Sequence, residues 1–364
     1  MAYATCRFPF VDEWKKLGDR NKFIAFIDSV LSGFGQIAFS DNPLSGLILI
    51  IGCFVGSIEV AISGLFAAIV ATAIAYAIGT PDILIRMGLY TFNGALAGLG
   101  MALFVFPGQP VTFAMLLYSA IVAILCVLLT SAISKVFSNW SVPGLALPYC
   151  TTLLIMVPAS LLMGNFEVST SLIPHMGELA SGTGAFAEWT VSSFFTAVFN
   201  SMAEIIWQAN VASGVLYLIA VMLSSRIDAL SAVFASITAT LVAIAFGMQM
   251  DSLLIGIYGY NAILVMQALF GRGYKMSVSC FFVSWVLALV TIVVTAWMQV
   301  LFAPLGAAVC AFPYVIISVL AMLARDSLGK LHFVDPLKWG VPETIAATLK
   351  EEDLQKEKAS SDEK

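Results

Sequence analysis

Apolar runs of 15 to 27 residues follow one another along this chain, with only short polar gaps between them. A helix needs roughly 20 apolar residues to cross a hydrocarbon core of about 30 Å, and inside that core only helices and closed barrels satisfy their backbone hydrogen bonds. The chain is 60% hydrophobic and 11% charged, whereas soluble domains are about one quarter charged. The runs do not show the alternation of barrel strands. The sequence therefore predicts an all-α polytopic membrane protein.

An internal repeat divides the chain. Three segments recur in the same order: NPLSGLILI (42–50) as NVASGVLYL (210–218), GLYTFNGAL (88–96) as GIYGYNAIL (256–264), and LPY (147–149) as FPY (312–314). The first two pairs share one offset along the chain, called the repeat offset below, and a short deletion explains the slightly smaller offset of the third. Three anchors in one order indicate two homologous halves, at 24–163 and 191–324.

The charges in the turns predict how the halves are oriented. Each half has six apolar segments, and the first half has them at 24–40, 44–58, 62–78, 83–106, 111–137 and 145–163. Five spans plus one re-entrant half-helix per half would invert the second half and give about ten spans. With a cytoplasmic N-terminus, the turns on the cytoplasmic side then contain Arg86, Lys135, Arg226, Arg272, Lys275 and Arg325. The sequence thus predicts two inverted-topology repeats.

The segments outside the repeats complete the predicted organisation. Residues 1–23 form a cytoplasmic N-terminal segment without a cleavable signal peptide. The loop at 164–190 contains no Lys or Arg and is predicted to be extracytoplasmic. The tail at 325–364 is predicted to be cytoplasmic and largely disordered at its end, because 349–364 has few apolar residues. We expect a multi-pass protein of the plasma membrane, which is the inner membrane in a bacterium.

Gln36 and Glu204 are the candidate polar residues of a pathway. They are separated by the repeat offset, so the repeat places them at equivalent positions. A Glu inside the apolar segment 191–207 costs a few kcal/mol unless it faces water or a partner. Inverted-repeat transporters keep their substrate sites where the halves meet near the bilayer midplane. The pair therefore predicts a shared pathway, with the alternative that Glu204 only lies near the aqueous end of its helix or bonds neighbouring backbone.

The repeated motifs carry a resemblance to the urea transporter family. NPLSG, GLYTFN with its echo GIYGYN, and the LPY and FPY pair match that family's pattern, and the similarity extends from Phe23 to Arg325. The resemblance implies a homotrimer in which each subunit has its own pore between two inverted halves. It also implies passive, channel-type flux of urea or a close neutral amide through a flat slot.

The resemblance also assigns the substrate-binding and pore residues. It implies that Gln36 and Glu204 hydrogen-bond the solute at the two pore ends, with Ala146 and Ala311 at the midpoint. Aromatic faces suit a flat solute and side-chain oxygens accept its N–H groups. The slot walls implied by the family are Phe39, Phe92 and Leu96, which face Trp207, Tyr260 and Leu264.

The midpoint departs from the family pattern. The family has a Thr where this chain has Ala146 and Ala311, and its proline motifs end in Phe where this chain has Tyr149 and Tyr314. Tyr260 also replaces the usual Phe. Two alternatives therefore stay open. Four aromatic rings and a carboxylate could hold a small organic cation such as a methylated ammonium compound, or the protein could be a solute-binding sensor or scaffold without transport.

Further patterns limit the other functions. Asn93 and Asn261 are predicted to cap or bridge broken backbone near the slot. The sequence contains no phosphate-binding loop and no Ser/His/Asp or metal-ligand spacing. We expect a protein that is not an enzyme, with no catalytic residues, no cofactor and no metal site. Its expected partners are a urea-like solute, the lipid bilayer and two further copies of itself, and not nucleic acid.

Overall fold

The computed structural model describes residues 9–175 and 189–362, which form α-helices, short 3-10 turns and loops. No β-strand occurs in these two ranges, so the all-helical prediction is confirmed for them. The helices up to residue 175 are α1 Pro9–Arg20, α2 Lys22–Gln36, α3 Pro43–Gly56, α4 Ile58–Ala77, α5 Asp82–Arg86, α6 Thr91–Val105, α7 Phe113–Ser138 and α8 Leu147–Ser160. Those after residue 189 are α9 Val191–Ala203, α10 Val211–Ser224, α11 Arg226–Ala245, α12 Met250–Leu254, α13 Ile257–Leu269, α14 Val278–Phe302, α15 Phe312–Leu323 and α16 Pro342–Asp362.

Several helices can cross a membrane. In the described ranges, four are long and apolar enough by themselves: α4, α7, α11, and α14 with the 3-10 turn that follows it. Residues Val191–Ile206, which comprise α9 and the 3-10 turn after it and are called the α9 segment below, form a further apolar pair with α10. The two parts of this pair are bent by 69°. The shorter apolar helices are α3, α6, α8, α13 and α15.

The run at 83–106, predicted as one apolar segment, is two helices. Gly88 separates α5 from α6 with φ of +77°, and Gly256 separates α12 from α13 with φ of +90°. This left-handed backbone favours glycine. A Cβ on Gly88 would lie 2.5 Å from the backbone of Gly33, so the chain also passes too close for a side chain here. The break therefore has a steric cause that a hydropathy pattern does not contain.

Asn side chains begin the paired helices α3 and α10. The Asn42 side-chain oxygen accepts from the backbone N–H of Leu44, and Pro43 occupies the first turn. The Asn210 side chain accepts in the same way from Ala212 and Ser213. An Asn cap and an early Pro are both favourable at a helix start. The polar break that precedes each of these helices is thus a capping site.

Helices α3 and α10 pack against each other in antiparallel directions. The Ser45 hydroxyl donates to the Ala220 carbonyl oxygen over 2.7 Å, so the start of α3 meets the later part of α10. The Ser213 hydroxyl donates to the Gly52 carbonyl oxygen over 2.8 Å, so the start of α10 meets the later part of α3. Both contacts place one helix start beside the other helix's end.

Disorder is predicted over 349–364, whereas in the structure α16 continues to Asp362, and residues 363–364 lie outside the described residues. The helix is anchored at its start. The Glu343 carboxylate accepts hydrogen bonds from the N–H groups of Arg226 and Ile227 and from the Ser225 hydroxyl. Composition alone did not predict this helix, because the residues that anchor its start, at 225–227, are distant from it along the chain.

Candidate functional site

A cavity of about 860 Å³ lies among residues from both halves of the chain. All ten side chains predicted from the sequence line it, so the structure brings together every candidate of the first half with every candidate of the second. These residues are Gln36, Phe39, Phe92, Leu96, Ala146, Glu204, Trp207, Tyr260, Leu264 and Ala311.

The backbone is strained at two aromatic residues, one shortly after α2 and one shortly after α9. Phe39 and Trp207 have φ of +56° and +58°, and both are bulky residues in the left-handed region. Such conformations cost of order 1–3 kcal/mol and collect at functional sites. Leu145 and Cys310, which precede the two midpoint alanines, have φ of +49°. Four of the five non-glycine residues with positive φ in the described ranges therefore form two repeat-related pairs beside the cavity.

Aromatic side chains of one half pack against those of the other. The Phe39 ring meets the Tyr314 ring edge to face, with centroids 6.2 Å apart. The Trp207 ring meets the Tyr149 ring in the same way, with centroids 6.4 Å apart. Edge-to-face pairs are favourable contacts that also hold ring orientation. The walls of the cavity are thus fixed by contacts across the repeat.

Phe39 and Trp207 lie toward opposite ends of this site. Arg272 donates to the Phe39 carbonyl over 3.3 Å and to the Gly340 carbonyl over 3.0 Å, which places Phe39 toward the tail. The Trp207 ring packs on Phe104, at a centroid distance of 5.3 Å. Phe104 in turn accepts a hydrogen bond from the backbone of Ser169, in the central loop.

The Gln36 and Glu204 side chains are free of protein partners. In the described part of the chain, no group forms a hydrogen bond or an ion pair with the Glu204 carboxylate or the Gln36 side-chain amide. Both side chains nevertheless line the cavity. The alternative that Glu204 bonds neighbouring backbone is therefore not what the structure shows, and both residues contribute polar side chains to the cavity wall.

Two Asn side chains hold the helix starts beside the midpoint, as predicted. The Asn93 side-chain oxygen accepts from the backbone N–H of Tyr149 over 3.2 Å. The Asn261 side-chain oxygen accepts from the backbone N–H of Tyr314 over 3.1 Å. Both Asn residues are buried. These bonds satisfy N–H groups that would otherwise be unpaired at the starts of α8 and α15.

A comparison with protein families decides the relationship. The sequence profile of the family described as "Urea transporter" matches residues 27–326, which is most of the chain. The chain belongs to the urea transporter family. This family consists of multi-pass transporters embedded in the membrane, so the chain is a transporter-family member and not an enzyme.

Two mammalian relatives have similar length. Urea transporter 1 of Ovis aries is 24% identical over 343 residues, which cover 94% of this chain and 88% of the relative. Urea transporter 1 of Rattus norvegicus is 24% identical over 323 residues, which cover 89% of this chain and 83% of the relative. The similarity of this urea transporter family member to its relatives thus extends over both halves.

Arg272 is a charged residue of the site that the sequence did not predict as a site residue. Arg272 lines the cavity of this urea transporter family member, and its guanidinium lies 4.9 Å from the centre of the Phe39 ring. The guanidinium also pairs with the buried Asp228 carboxylate at 2.8 Å. The repeat offset makes Phe104 its equivalent in the first half, so this mismatch within the repeat was the available signal.

The tail contributes a second unpredicted part of the wall. Several of its residues line the cavity beside Arg272: Asp335, Pro336, Leu337, Lys338, Trp339, Gly340, Val341, Thr348 and Glu352. The Lys338 ammonium pairs with the Glu352 carboxylate at 2.7 Å. The low hydropathy of the tail predicted that it lies outside the membrane, but it did not predict that the tail lines the cavity.

Proposed function

We propose that the protein is a passive channel for urea, or for a closely related small neutral amide, and that solute passes through the cavity between its halves. The observation that carries this proposal is the set of two partner-free amide and carboxylate side chains, Gln36 and Glu204, on walls made of aromatic and Leu residues. The names of the related mammalian proteins agree with urea as the solute.

The chemistry of these walls suits urea. Urea is flat, so aromatic faces such as Phe92 can contact it without displacing its in-plane hydrogen bonds. Its N–H groups need acceptors once water is removed, because a buried donor without a partner costs about 1–3 kcal/mol. Gln36 and Glu204 offer such oxygens at repeat-related positions. We assign these two residues to the pore ends, and Ala146 and Ala311 to the midpoint.

We further propose two inverted repeats with about ten spans in all. The antiparallel packing of α3 and α10 supports this arrangement, because equivalent helices that run in opposite directions belong to halves of opposite orientation. The recurrence of helix bounds also supports it. Ile58–Ala77 and Arg226–Ala245 are each 20 residues long, and both their first and their last residues are separated by the repeat offset. In this arrangement α2 and the α9 segment are the re-entrant half-helices.

Basic residues at one end support the proposed orientation. Arg272 donates to the Phe39 carbonyl and pairs with Asp228, which is two residues after Arg226, so both arginines lie at the end where Phe39 is found. At the membrane surface, Lys and Arg are enriched on the cytoplasmic side. We therefore propose that both termini are cytoplasmic, and that the membrane is the inner membrane if the cell is bacterial.

A homotrimer with one pore in each subunit is proposed from the family relationship.

The organic-cation alternative has one feature in its favour and one against it. The unpaired Glu204 carboxylate could balance a positive charge. Arg272, however, places a positive charge in the same wall and covers the Phe39 ring with its guanidinium. The guanidinium already occupies that ring, which leaves less aromatic surface for a second cation. Neutral solute is therefore the better supported class.

Stopped-flow light scattering of proteoliposomes under an inward urea gradient tests the proposal. The wild type, the Ala146→Thr/Ala311→Thr variant and protein-free vesicles are compared at equal vesicle size. Faster urea entry with the wild type than with bare lipid supports the channel. Urea entry equal to bare lipid in both proteins contradicts it, and the same vesicles are then tested with tetramethylammonium. Saturable urea binding without flux would instead support a sensor.

A further inference from the structure

The tyrosine hydroxyls divide into two groups. The described ranges contain nine tyrosines, and the phenol oxygens of seven are hydrogen bonded to another protein group. These seven are Tyr76, Tyr90, Tyr118, Tyr217, Tyr258, Tyr260 and Tyr274. The phenols of Tyr149 and Tyr314 donate no such hydrogen bond to any described residue.

These two tyrosines are also equivalent in the repeat and line the cavity. Each is only 3% exposed, and a buried hydroxyl without a partner is unfavourable. Among the described residues, each phenol oxygen has one weak or donating neighbour and no strong acceptor. The Tyr149 oxygen is near the Cys150 sulfur, which is a weak acceptor. The Tyr314 oxygen faces the backbone amide of Ala146, which is a donor.

The two side chains are positioned rigidly. The backbone N–H of each is held by a buried Asn, and each ring packs edge-on against an aromatic wall residue, Phe39 or Trp207. Ala146 and Ala311, which have side chains of one carbon, line the same cavity as the two tyrosines. The phenol O–H groups of Tyr149 and Tyr314 are thus two donors in fixed positions on the cavity wall.

We propose that Tyr149 and Tyr314 are solute-contacting specificity residues, whose phenol O–H groups donate to the carbonyl oxygen of a neutral amide as it passes. The inference rests on the proposed function and adds the donors that it lacks. Gln36 and Glu204 serve the N–H groups of the solute, whereas its oxygen needs a donor once water has been removed. An alkylammonium ion has no acceptor for these phenols, so the same pair disfavours cations.

The test compares urea with thiourea, because the sulfur of thiourea is a poorer hydrogen-bond acceptor than oxygen. The variants are Tyr149→Phe, Tyr314→Phe and the double variant, each of which removes a hydroxyl and keeps the ring. The matched control is Tyr118→Phe. The Tyr118 hydroxyl donates to the Met156 carbonyl, and the residue does not line the cavity. Permeabilities to both solutes are measured in the same proteoliposomes.

We expect the double variant to lower urea permeability about fivefold to tenfold, the equivalent of one hydrogen bond, and to change thiourea permeability by less than about twofold. The ratio of urea to thiourea permeability then falls, while Tyr118→Phe leaves that ratio unchanged. An unchanged ratio in the double variant, with both solutes slowed equally or not at all, overturns the inference. Wild-type vesicles that pass no urea would instead overturn the proposed function itself.

Discussion

Ser45 and Ser213 each donate a hydrogen bond to a carbonyl oxygen on the other residue's helix. The two residues are third in α3 and third in α10, and their acceptors, Ala220 and Gly52, are both tenth in their helices. This reciprocal exchange shows that the two helices run antiparallel, and it supports the proposed inverted repeat. Hydroxyl groups at helix contacts of this kind bind the helices where no hydrophobic effect operates between them.

Alanine at either serine should weaken the contact between the halves. We expect Ser213→Ala to lower the free energy of unfolding by about 0.5–1.5 kcal/mol. Ser45→Ala should cost more, because its hydroxyl also contacts that of Ser224 at 2.7 Å. Thermal unfolding in detergent measures both effects. Equal stability of wild type and both variants would show that these hydrogen bonds contribute nothing.

Alanine at Gly46 or Gly214 should prevent correct packing. A Cβ on Gly46 would lie 1.8 Å from the Leu31 carbonyl oxygen, and a Cβ on Gly214 would lie 2.0 Å from the Phe199 carbonyl oxygen. Because both obstacles are backbone, relief requires helix displacement, and we expect a loss of at least about 3 kcal/mol. The yield of monodisperse protein in size-exclusion chromatography reports the outcome.

Gly164→Ala is the control for these glycine variants. A Cβ at Gly164 meets no atom within 4 Å, so this variant should behave like the wild type. Normal yield of the Gly46→Ala protein would contradict the close approach of the helices.

Removing the Asp228 charge should destabilise the protein strongly. Asp228 and Arg272 are both 2% exposed and form an ion pair at 2.8 Å. Asp228→Asn leaves the guanidinium without a buried counter-charge, and we expect a loss of about 3 kcal/mol or more. Chemical denaturation in detergent measures the change in midpoint.

An exposed ion pair provides the comparison for Asp228. Lys16 and Glu13 pair at 2.9 Å with side chains 65% and 68% exposed. Glu13→Gln should change stability by less than about 1 kcal/mol, because solvent screens such pairs. A similar loss in both variants would show that burial is not the cause.

Substitutions at Glu204 should separate hydrogen bonding from charge. Glu204→Gln keeps one acceptor oxygen, so urea permeability should fall only about twofold to fivefold, the weakening of one charge-assisted hydrogen bond. Glu204→Leu removes both oxygens and should lower it at least about tenfold. Stopped-flow urea entry measures both variants. Complete loss of flux in Glu204→Gln would show that the charge itself is required.

The sequence alone predicted the residues of the site better than the path of the backbone between them. The repeat paired Gln36 with Glu204 because one sequence offset relates equivalent residues over most of both halves. The same offset relates the ends of the equivalent helices α4 and α11. The divided segment at 83–106 was missed because its break depends on Gly88 meeting Gly33, a contact between distant parts of the chain. Hydropathy averages over a window and contains no such contact.

Apolar runs by themselves determined the helical class, and repeated motifs indicated two halves and paired Gln36 with Glu204. The resemblance to the urea transporter family supplied the other eight candidate pore residues. These features are local or periodic, so they can be seen in one dimension. Only the tertiary structure decided that Arg272 and the tail join the wall, and that Tyr149 and Tyr314 are the two described tyrosines whose phenols lack a hydrogen bond to an oxygen acceptor. Whether a polar group has a partner depends on residues that approach it in space, and the order of residues along the chain does not specify them.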